Sequence, residues 1–360
     1  MIKLFFEFIQ VAIGERKSIS KVPTEEEWSA LYQMAVKQSV VGVLFSAISK
    51  LCEVDEGMRP PTQLYKQWLG ITIAIDDQNR KLNEAAGLLT RIFASKGLRT
   101  CVLKGQGMAR LYDNPFIRQS GDIDLWVEGK RDGTVKFLKE NHFKMGKVVI
   151  HHVDCSIIDG VETEIHFIPV YAYNPYISCR LQKYFKTHAN EQFSNYDEKL
   201  GFAYPTNAFN AVYCLSHIYM HFLYEGIGLR QLIDYYYVLK HLTPEEKQLA
   251  LKDIRHVGLG RIDGAVMYVL HEACGMPQDE LIGEIDIKRG KLLMKEIIHG
   301  GNFGHSDERI AHSSKDGILS INKKRMKRVS SFFWYFPLDV LSIPFWKCWH
   351  WCWRKYKGYL

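Results

Sequence analysis

The stretch Arg118-Gln119-Ser120-Gly121-Asp122-Ile123-Asp124-Leu125-Trp126-Val127 constrains this chain more than any other. It reads as a loop turning through Gly121 into a short strand over 122–127. Side chains alternate across a strand, so Asp122 and Asp124 share one face while Ile123, Leu125 and Val127 point the other way, into a core. Two carboxylates so close repel each other unless a cation lies between them, and a hard divalent ion such as Mg²⁺ suits an all-oxygen site. An isolated Asp-x-Asp is more commonly a polar strand start whose acids cap a turn. The neighbouring stretches favour the cation reading.

Upstream, Thr100-Cys101-Val102-Leu103-Lys104-Gly105-Gln106-Gly107 is a short apolar strand entering a glycine-bracketed turn. Downstream, residues 160–167 alternate: Val161, Thr163, Ile165 and Phe167 share one face, and Glu162, Glu164 and His166 the other. Between 99 and 170 the apolar period shifts from 3.6 toward 2. Strands are expected at 100–104, 122–127, 143–150, 152–158 and 161–168, with helices at 107–112 and 131–141. Asp159-Gly160 would join the last two strands as a tight hairpin turn.

Both flanks read as helical. Thr24-Glu25-Glu26-Glu27 offers a cap with first-turn acids, and Thr243-Pro244-Glu245-Glu246 offers another with Pro at the first helical position. A long helix over about 63–95 carries a core stripe at Leu82, Ala85, Leu88, Leu89 and Ile92. The expected fold class is α+β, a small mixed β-sheet core flanked by N-terminal and C-terminal helical regions. The corresponding divisions are 1–98, 99–170 and 171–360.

A formal charge of +7 suits an anionic partner such as a nucleotide, a nucleic acid or an anionic membrane, and does not choose among them. None of the eight cysteines forms a Cys-x-x-Cys pair, so free thiols in a reducing compartment are expected. The first ten residues, interrupted by Glu7 and Gln10, read as an amphipathic helix and not a signal peptide, which makes a cytoplasmic location the expectation.

A strand, a glycine turn and a helix, then an Asp-x-Asp strand, then a strand with an acid, is the order found in polymerase-beta-like nucleotidyltransferases. More finely, the chain resembles a bacterial family of uncharacterised nucleotidyltransferases. The matching residues are Leu103-Lys104-Gly105, Tyr112, Arg118, Asp122-Ile123-Asp124-Leu125 and Glu164-Ile165-His166, then His217, His221, Gly228-Leu229-Arg230 and Asp234. The resemblance implies that 99–170 is the nucleotidyltransferase core, and that Asp122, Asp124 and Glu164 are catalytic and bind Mg²⁺ (or Mn²⁺). It further implies that Lys104, Gly105, Arg118, Gly121, His166, His217 and Arg230 contact the nucleotide. The reaction implied is transfer of an NMP group from an NTP, such as ATP, to an unidentified acceptor, with release of pyrophosphate; the acceptor could be a small molecule, a sugar, a protein or an RNA end. Better-known members of the superfamily carry Gly-Ser at the nucleotide turn, whereas this chain has Lys104-Gly105-Gln106, and 17 residues separate Gly105 from Asp122.

Several of these residues have plainer alternatives. Glu162 shares the Glu164 face and competes as the third ligand. His166 could orient Glu164, touch the nucleotide or be structural. Lys104 could be a solvated strand-end lysine, and Arg118 could pair with Asp113 or with the metal-site carboxylates. His217 and His221 have a zinc-compatible spacing but no third ligand in sequence, so pocket-lining histidines are the better reading. Arg230 and Asp234 could simply pair along one helix.

The tail combines a basic run, Lys323-Lys324-Arg325-Met326-Lys327-Arg328, with aromatics from Phe332 to Trp353. Pro337, Asp339 and Pro344 argue against a continuous spanning helix. A terminal helical pair packing its aromatics on the protein is favoured over an interfacial segment resting on anionic lipid. Two rivals to catalysis follow, a non-catalytic nucleotide-binding or regulatory module and a membrane-surface scaffold.

Overall fold

The computed structural model describes residues 1–310 and 318–359. Four helices precede the sheet: α1 (Ile2–Ala12), α2 (Glu25–Lys37), α3 (Val41–Val54) and α4 (Thr62–Ala94). At the start of α2 the Thr24 hydroxyl accepts from the Glu27 N–H while the Glu27 carboxylate accepts from the Thr24 N–H, so two otherwise orphaned donors are satisfied.

The sheet is built from β1 (Thr100–Val102), β2 (Ile123–Val127), β3 (Lys144–Val148), β4 (His152–Ser156) and β5 (Thr163–His166). Its order is β1-β2-β5-β4-β3, with β2 parallel to β5 and the other neighbours antiparallel. Short α5 (Gln106–Ala109) follows β1, and α6 (Arg131–Glu140) opens the crossover from β2 to β5. Ile123, Leu125 and Val127 of β2 pack with Ile165 of β5, with Leu82, Ala86 and Leu89 of α4, and with Val135 and Leu138 of α6. That apolar layer turns the opposite face, with its acids, toward a cleft. The fold is α+β, as the change of period implies.

The C-terminal part contains α7 (Pro175–Ser194), a two-stranded ribbon β6–β7 (Tyr196–Asp197, Phe202–Ala203), α8 (Asn207–Tyr224) and α9 (Leu229–Lys240). Then come α10 (Pro244–Val257), α11 (Gly260–Cys274), α12 (Ile287–Gly300), α13 (Ile318–Ser330) and α14 (Pro337–Lys357). The second apolar cluster joins α1–α3 to α8, α9 and α11 and reaches Leu103 and Trp126. Trp68, near the start of α4, belongs to that cluster, whereas Leu82 to Phe93 belong to the sheet layer. One long helix therefore ties both cores together.

Some expected boundaries shift. The strands expected at 143–150, 152–158 and 161–168 contract, because the Asp159-Gly160 turn sits inside a six-residue connection between β4 and β5. The helix expected at 107–112 contracts to α5, and the β6–β7 ribbon interrupts a region expected to be helical. In the tail, α14 runs continuously through Pro344 without being apolar enough to span a membrane. Packing explains its persistence: Asp339 accepts from Asn174 Nδ2 at 3.0 Å and from the Tyr219 hydroxyl, Ile343 is buried, and Trp346 stacks on Tyr171 with ring centroids 4.5 Å apart. Leu338, Leu341, Phe345, Trp349, Cys352 and Tyr356 recur at helical spacing along the outward side and are exposed. Among the described residues, no helix is long and apolar enough to cross a membrane.

Candidate active site

One wall of the cleft is the sheet. The β2–β5 register sets Asp124 opposite Glu164, and with Asp122 their carboxylate oxygens lie within 4.8 Å of one another. Asp124 is 2% exposed and is met by two cations, Lys104 Nζ at 2.8 Å and His166 Nε2 at 3.0 Å. Glu164, whose side chain is 28% exposed, lies 3.2 Å from His166 Nε2 and 3.1 Å from His152 Nδ1. Among the described residues, Asp122 alone of the three has no cation within salt-bridge reach.

The charges respond accordingly. Asp122 is pushed up from the usual carboxylate range, first by the facing Asp124 charge and then by burial. Burial also works against ionised Asp124, but Lys104 and His166 overcome it and hold the group well below the ordinary value. Burial disfavours the His166 imidazolium, yet hydrogen bonds to Asp124 and Glu164 raise its pKa to about 9. Lys104 is likewise raised, because Asp124, Asp122 and Glu164 outweigh its desolvation.

The turn that presents Lys104 depends on glycine. Gly105 has φ of 52°, which other residues adopt only with strain, and a Cβ there would lie 3.4 Å from the Asp122 carbonyl oxygen. Gln106, at the position where the superfamily carries serine, faces away from the cleft. Its Nε2 lies 3.2 Å from the Asn79 carbonyl and 3.3 Å from Asn79 Oδ1 on α4. Asn79 in turn donates to the carbonyls of Phe116 and Arg118, both at 2.8 Å, so α4 anchors the glycine turn and the Arg118 loop together.

The opposite wall is α8 and α9. Lys104 Nζ lies 3.0 Å from His217 Nε2, His217 lies 3.0 Å from His221, and His221 Nδ1 lies 2.7 Å from Glu225. Burial, reinforced by Lys104, pushes the His217 pKa well below the ordinary value, so its ring is neutral and can accept from Lys104. Burial would raise Glu225, but His221 holds it down at about 2.

Arg118 pairs neither with Asp113 nor with the metal-site carboxylates. It forms a two-pronged pair with Asp234 of α9, Nε to Oδ1 and Nη2 to Oδ2, both at 2.7 Å, and the Tyr112 hydroxyl donates to the same carboxylate at 2.7 Å. Asp234 is therefore not the partner of Arg230, despite their spacing on α9. Arg230 instead donates through Nη1 to the Gln119 carbonyl at 2.6 Å and forms no salt bridge among the described residues; its Nε is buried without a partner.

Lys104, Gly105, Arg118, Gly121, Asp122, Asp124, Glu164, His166, His217 and Arg230 all line one cleft of about 420 Å³, a size typical of small-molecule sites. His151, His152, Tyr171, Tyr213, Glu225 and Phe303 line it too and were not identifiable from sequence motifs. The Tyr213 hydroxyl is buried without a hydrogen-bond partner among the described residues. A second cleft of about 370 Å³ opens on the far side of Asp122 and Glu164, bordered by Lys144, Asp154 and Glu162. Glu162 borders only this second cleft, whereas Glu164 borders both.

The cleft gathers three carboxylates with the nitrogens of Lys104, His166, His217 and Arg230 beside a mixed sheet. A sequence profile of the uncharacterised nucleotidyltransferase family matches residues 24–275, most of the chain, and the chain belongs to that family. The class of reaction that goes with it is nucleotidyl transfer. No curated protein matches the sequence. The matched span takes in α2 to α11 and thus both walls, whereas Phe303 and Arg325 contribute to the cleft from beyond it.

Proposed function

We propose that this protein transfers an NMP group from an NTP to an acceptor hydroxyl or phosphate in a reaction that depends on Mg²⁺ or Mn²⁺. The observation that carries the reading is the convergence of Asp122, Asp124 and Glu164 at the base of a cleft whose other wall offers nitrogen donors. The oxygen set fits a hard divalent ion, which would relieve the repulsion between Asp122 and the facing Asp124 charge. A bound ion would supply charge neutralisation for the triphosphate and the leaving pyrophosphate.

The chain's own groups do the positioning. Lys104, at rest on Asp124, is within reach of phosphate oxygens entering beside Gly105, where the backbone lies open. Arg230 and Tyr213 have unused donors at the cleft and suit phosphate or ribose oxygens. Gly121 has no atom near its missing Cβ, so a ligand can lie against that loop. Arg118, engaged with Asp234, orients the loop that delivers Asp122 and is assigned to positioning. The acceptor oxygen attacks the α-phosphorus as the bond to the bridging oxygen breaks. Glu164, open to both clefts, is suited to take the acceptor proton, with the acceptor arriving through the second cleft.

One observation favours the rival of a non-catalytic nucleotide-binding module, since Gln106 points to Asn79 and leaves no side chain where serine would hold phosphate. The discriminating experiment incubates the protein with α-³²P-labelled NTPs, Mg²⁺ and a cell extract as acceptor source. Label transferred by the wild type and lost in Asp124→Asn supports catalysis; nucleotide binding with no transfer to any fraction would favour the rival.

For location, the proposal is a cytoplasmic protein that touches anionic membrane through the exposed side of α14. The stripe from Leu338 to Tyr356, with exposed Lys323, Lys327 and Lys355 nearby in the chain, matches an interfacial helix. Sedimentation with phosphatidylserine vesicles should be reduced by Phe345→Ser with Trp349→Ser. Equal sedimentation of that variant, or none by the wild type, would remove the membrane from the account.

A further inference from the structure

We propose that the sheet wall also carries an imidazole-based metal site, formed by His152, His166 and Glu164, that takes a first-row transition-metal ion in preference to Mg²⁺. This deepens the proposed function and rests on the reading of the cleft as metal-dependent.

The strand register assembles the site. His152 on β4 stands opposite His166 on β5, and Glu164 shares their face two residues before His166. One donor atom from each of the three lies within 4.8 Å of the others. The individual separations are 3.1 Å from His152 Nδ1 to Glu164 Oε2 and 3.2 Å from His166 Nε2 to the same oxygen. Donors bonded to one ion at about 2.1 Å stand about 3 Å apart along an octahedral edge. Two edges of the set are thus already at ligand spacing, and an ion bound there would take the place of the proton that His166 Nε2 now turns toward Asp124 and Glu164.

Two further observations point to a ligand and not only to a hydrogen-bond network. The Nδ1 atom of His152 is buried and makes no hydrogen bond among the described residues, although Glu164 Oε2 is 3.1 Å away, so its lone pair is left for a ligand. In each ring the nitrogen turned away from the site meets an oxygen acceptor, His152 Nε2 at 3.2 Å from Asp154 Oδ1 and His166 Nδ1 at 3.3 Å from the Ile168 carbonyl. Metal-bound imidazoles characteristically donate their other N–H to a carboxylate or carbonyl, which fixes the tautomer and the ring plane. Two nitrogens with one carboxylate form a set for Mn²⁺, Co²⁺ or Zn²⁺, whereas Mg²⁺ prefers oxygen. Glu164 is common to this set and to the Asp122–Asp124 set, so the two sites adjoin.

The test uses the full chain stripped of metal and titrated with Co²⁺, whose visible absorption reports nitrogen ligands, followed by competition with Zn²⁺. Mg²⁺-dependent binding of a non-hydrolysable NTP is measured in parallel. The wild type should give a Co²⁺ spectrum that Zn²⁺ displaces and that Mg²⁺ at equal concentration does not. His152→Ala should lower Co²⁺ affinity at least about 100-fold, and Asp154→Asn, which removes the acceptor 3.2 Å from His152 Nε2, about 10–100-fold. Thermal melting of the Asp154→Asn variant guards against a loss that merely reflects unfolding. Absence of a Co²⁺ spectrum in the wild type, or unchanged Co²⁺ affinity in both variants, would overturn the proposal. A Co²⁺ site abolished by His152→Ala in a protein that binds no Mg²⁺–NTP would instead overturn the active-site reading and leave this site standing.

Discussion

The two walls of the cleft treat charge in opposite ways. At the helical wall, Asp234 of α9 closes on Arg118 from the loop before β2 through two 2.7 Å bonds, with Tyr112 as a third partner, and little of their charge is left over. On the sheet wall, Asp122, Asp124 and Glu164 converge, and Asp122 faces Asp124 without a cation of its own. A buried pair that satisfies itself holds architecture together; in the proposed reading Asp122, the one acid of the three with no ion pair among the described residues, is the group that a bound cation relieves. The same contrast separates the histidines, since His166 is held charged by acids while His217 is held neutral by burial beside Lys104.

The sharpest way to break this comparison is to exchange charge for amide on each acid. Asp122→Asn and Asp124→Asn should both reduce nucleotidyl transfer by about 10³-fold, measured as labelled product. Their stabilities should part. Asp124→Asn leaves Lys104 and His166 short of a partner and should cost about 3 kcal/mol in urea unfolding, whereas Asp122→Asn relieves repulsion and should leave the metal-free protein unchanged or more stable. On the helical wall, Asp234→Ala strands buried Arg118 and should cost about 3–5 kcal/mol by the same measurement. Recovery of much of that loss in Arg118→Met with Asp234→Leu would mark the pair as architecture.

Smaller effects sharpen the contrast. Arg230→Ala removes donors that no carboxylate among the described residues engages, so it should weaken NTP binding by about 1.5–3 kcal/mol in calorimetry while the melting temperature stays close to the wild type. In chelator-treated protein, His166 is raised above its unfolded value. Its contribution is therefore complete below pH 6.5 and is lost as pH rises toward about 9. His217 is depressed, so its contribution is complete above pH 6.5 and declines as pH falls. Metal-free stability should peak near neutrality, with limbs no steeper than about 1.4 kcal/mol per pH unit for each proton. A monotonic profile from pH 5 to 9 would contradict the opposed assignments.

What was legible in the sequence was local. Alternation over 122–127 put the two acids on one face because the side-chain period of a strand leaves no other arrangement, and Thr24 and Thr243 marked helix starts through reciprocal caps that form as expected. What was hidden depends on contacts between distant segments. Spacing on α9 suggested an Arg230–Asp234 pair, yet Asp234 is taken by Arg118, 116 residues away. His152 carried no motif; only the β4–β5 register brings it to Glu164. The role of Gln106 likewise appears only once α4 delivers Asn79 beside it.

The central claim is that the sheet wall is short of a cation and binds nucleotide through one. Its most direct test is calorimetric titration of a non-hydrolysable NTP into the wild type and into Asp122→Asn, each with Mg²⁺ and with EDTA. The account predicts binding by the wild type only with Mg²⁺, and loss of that binding in an Asp122→Asn variant that melts at or above the wild-type temperature. Nucleotide binding that survives EDTA and the Asp122→Asn change alike would contradict it.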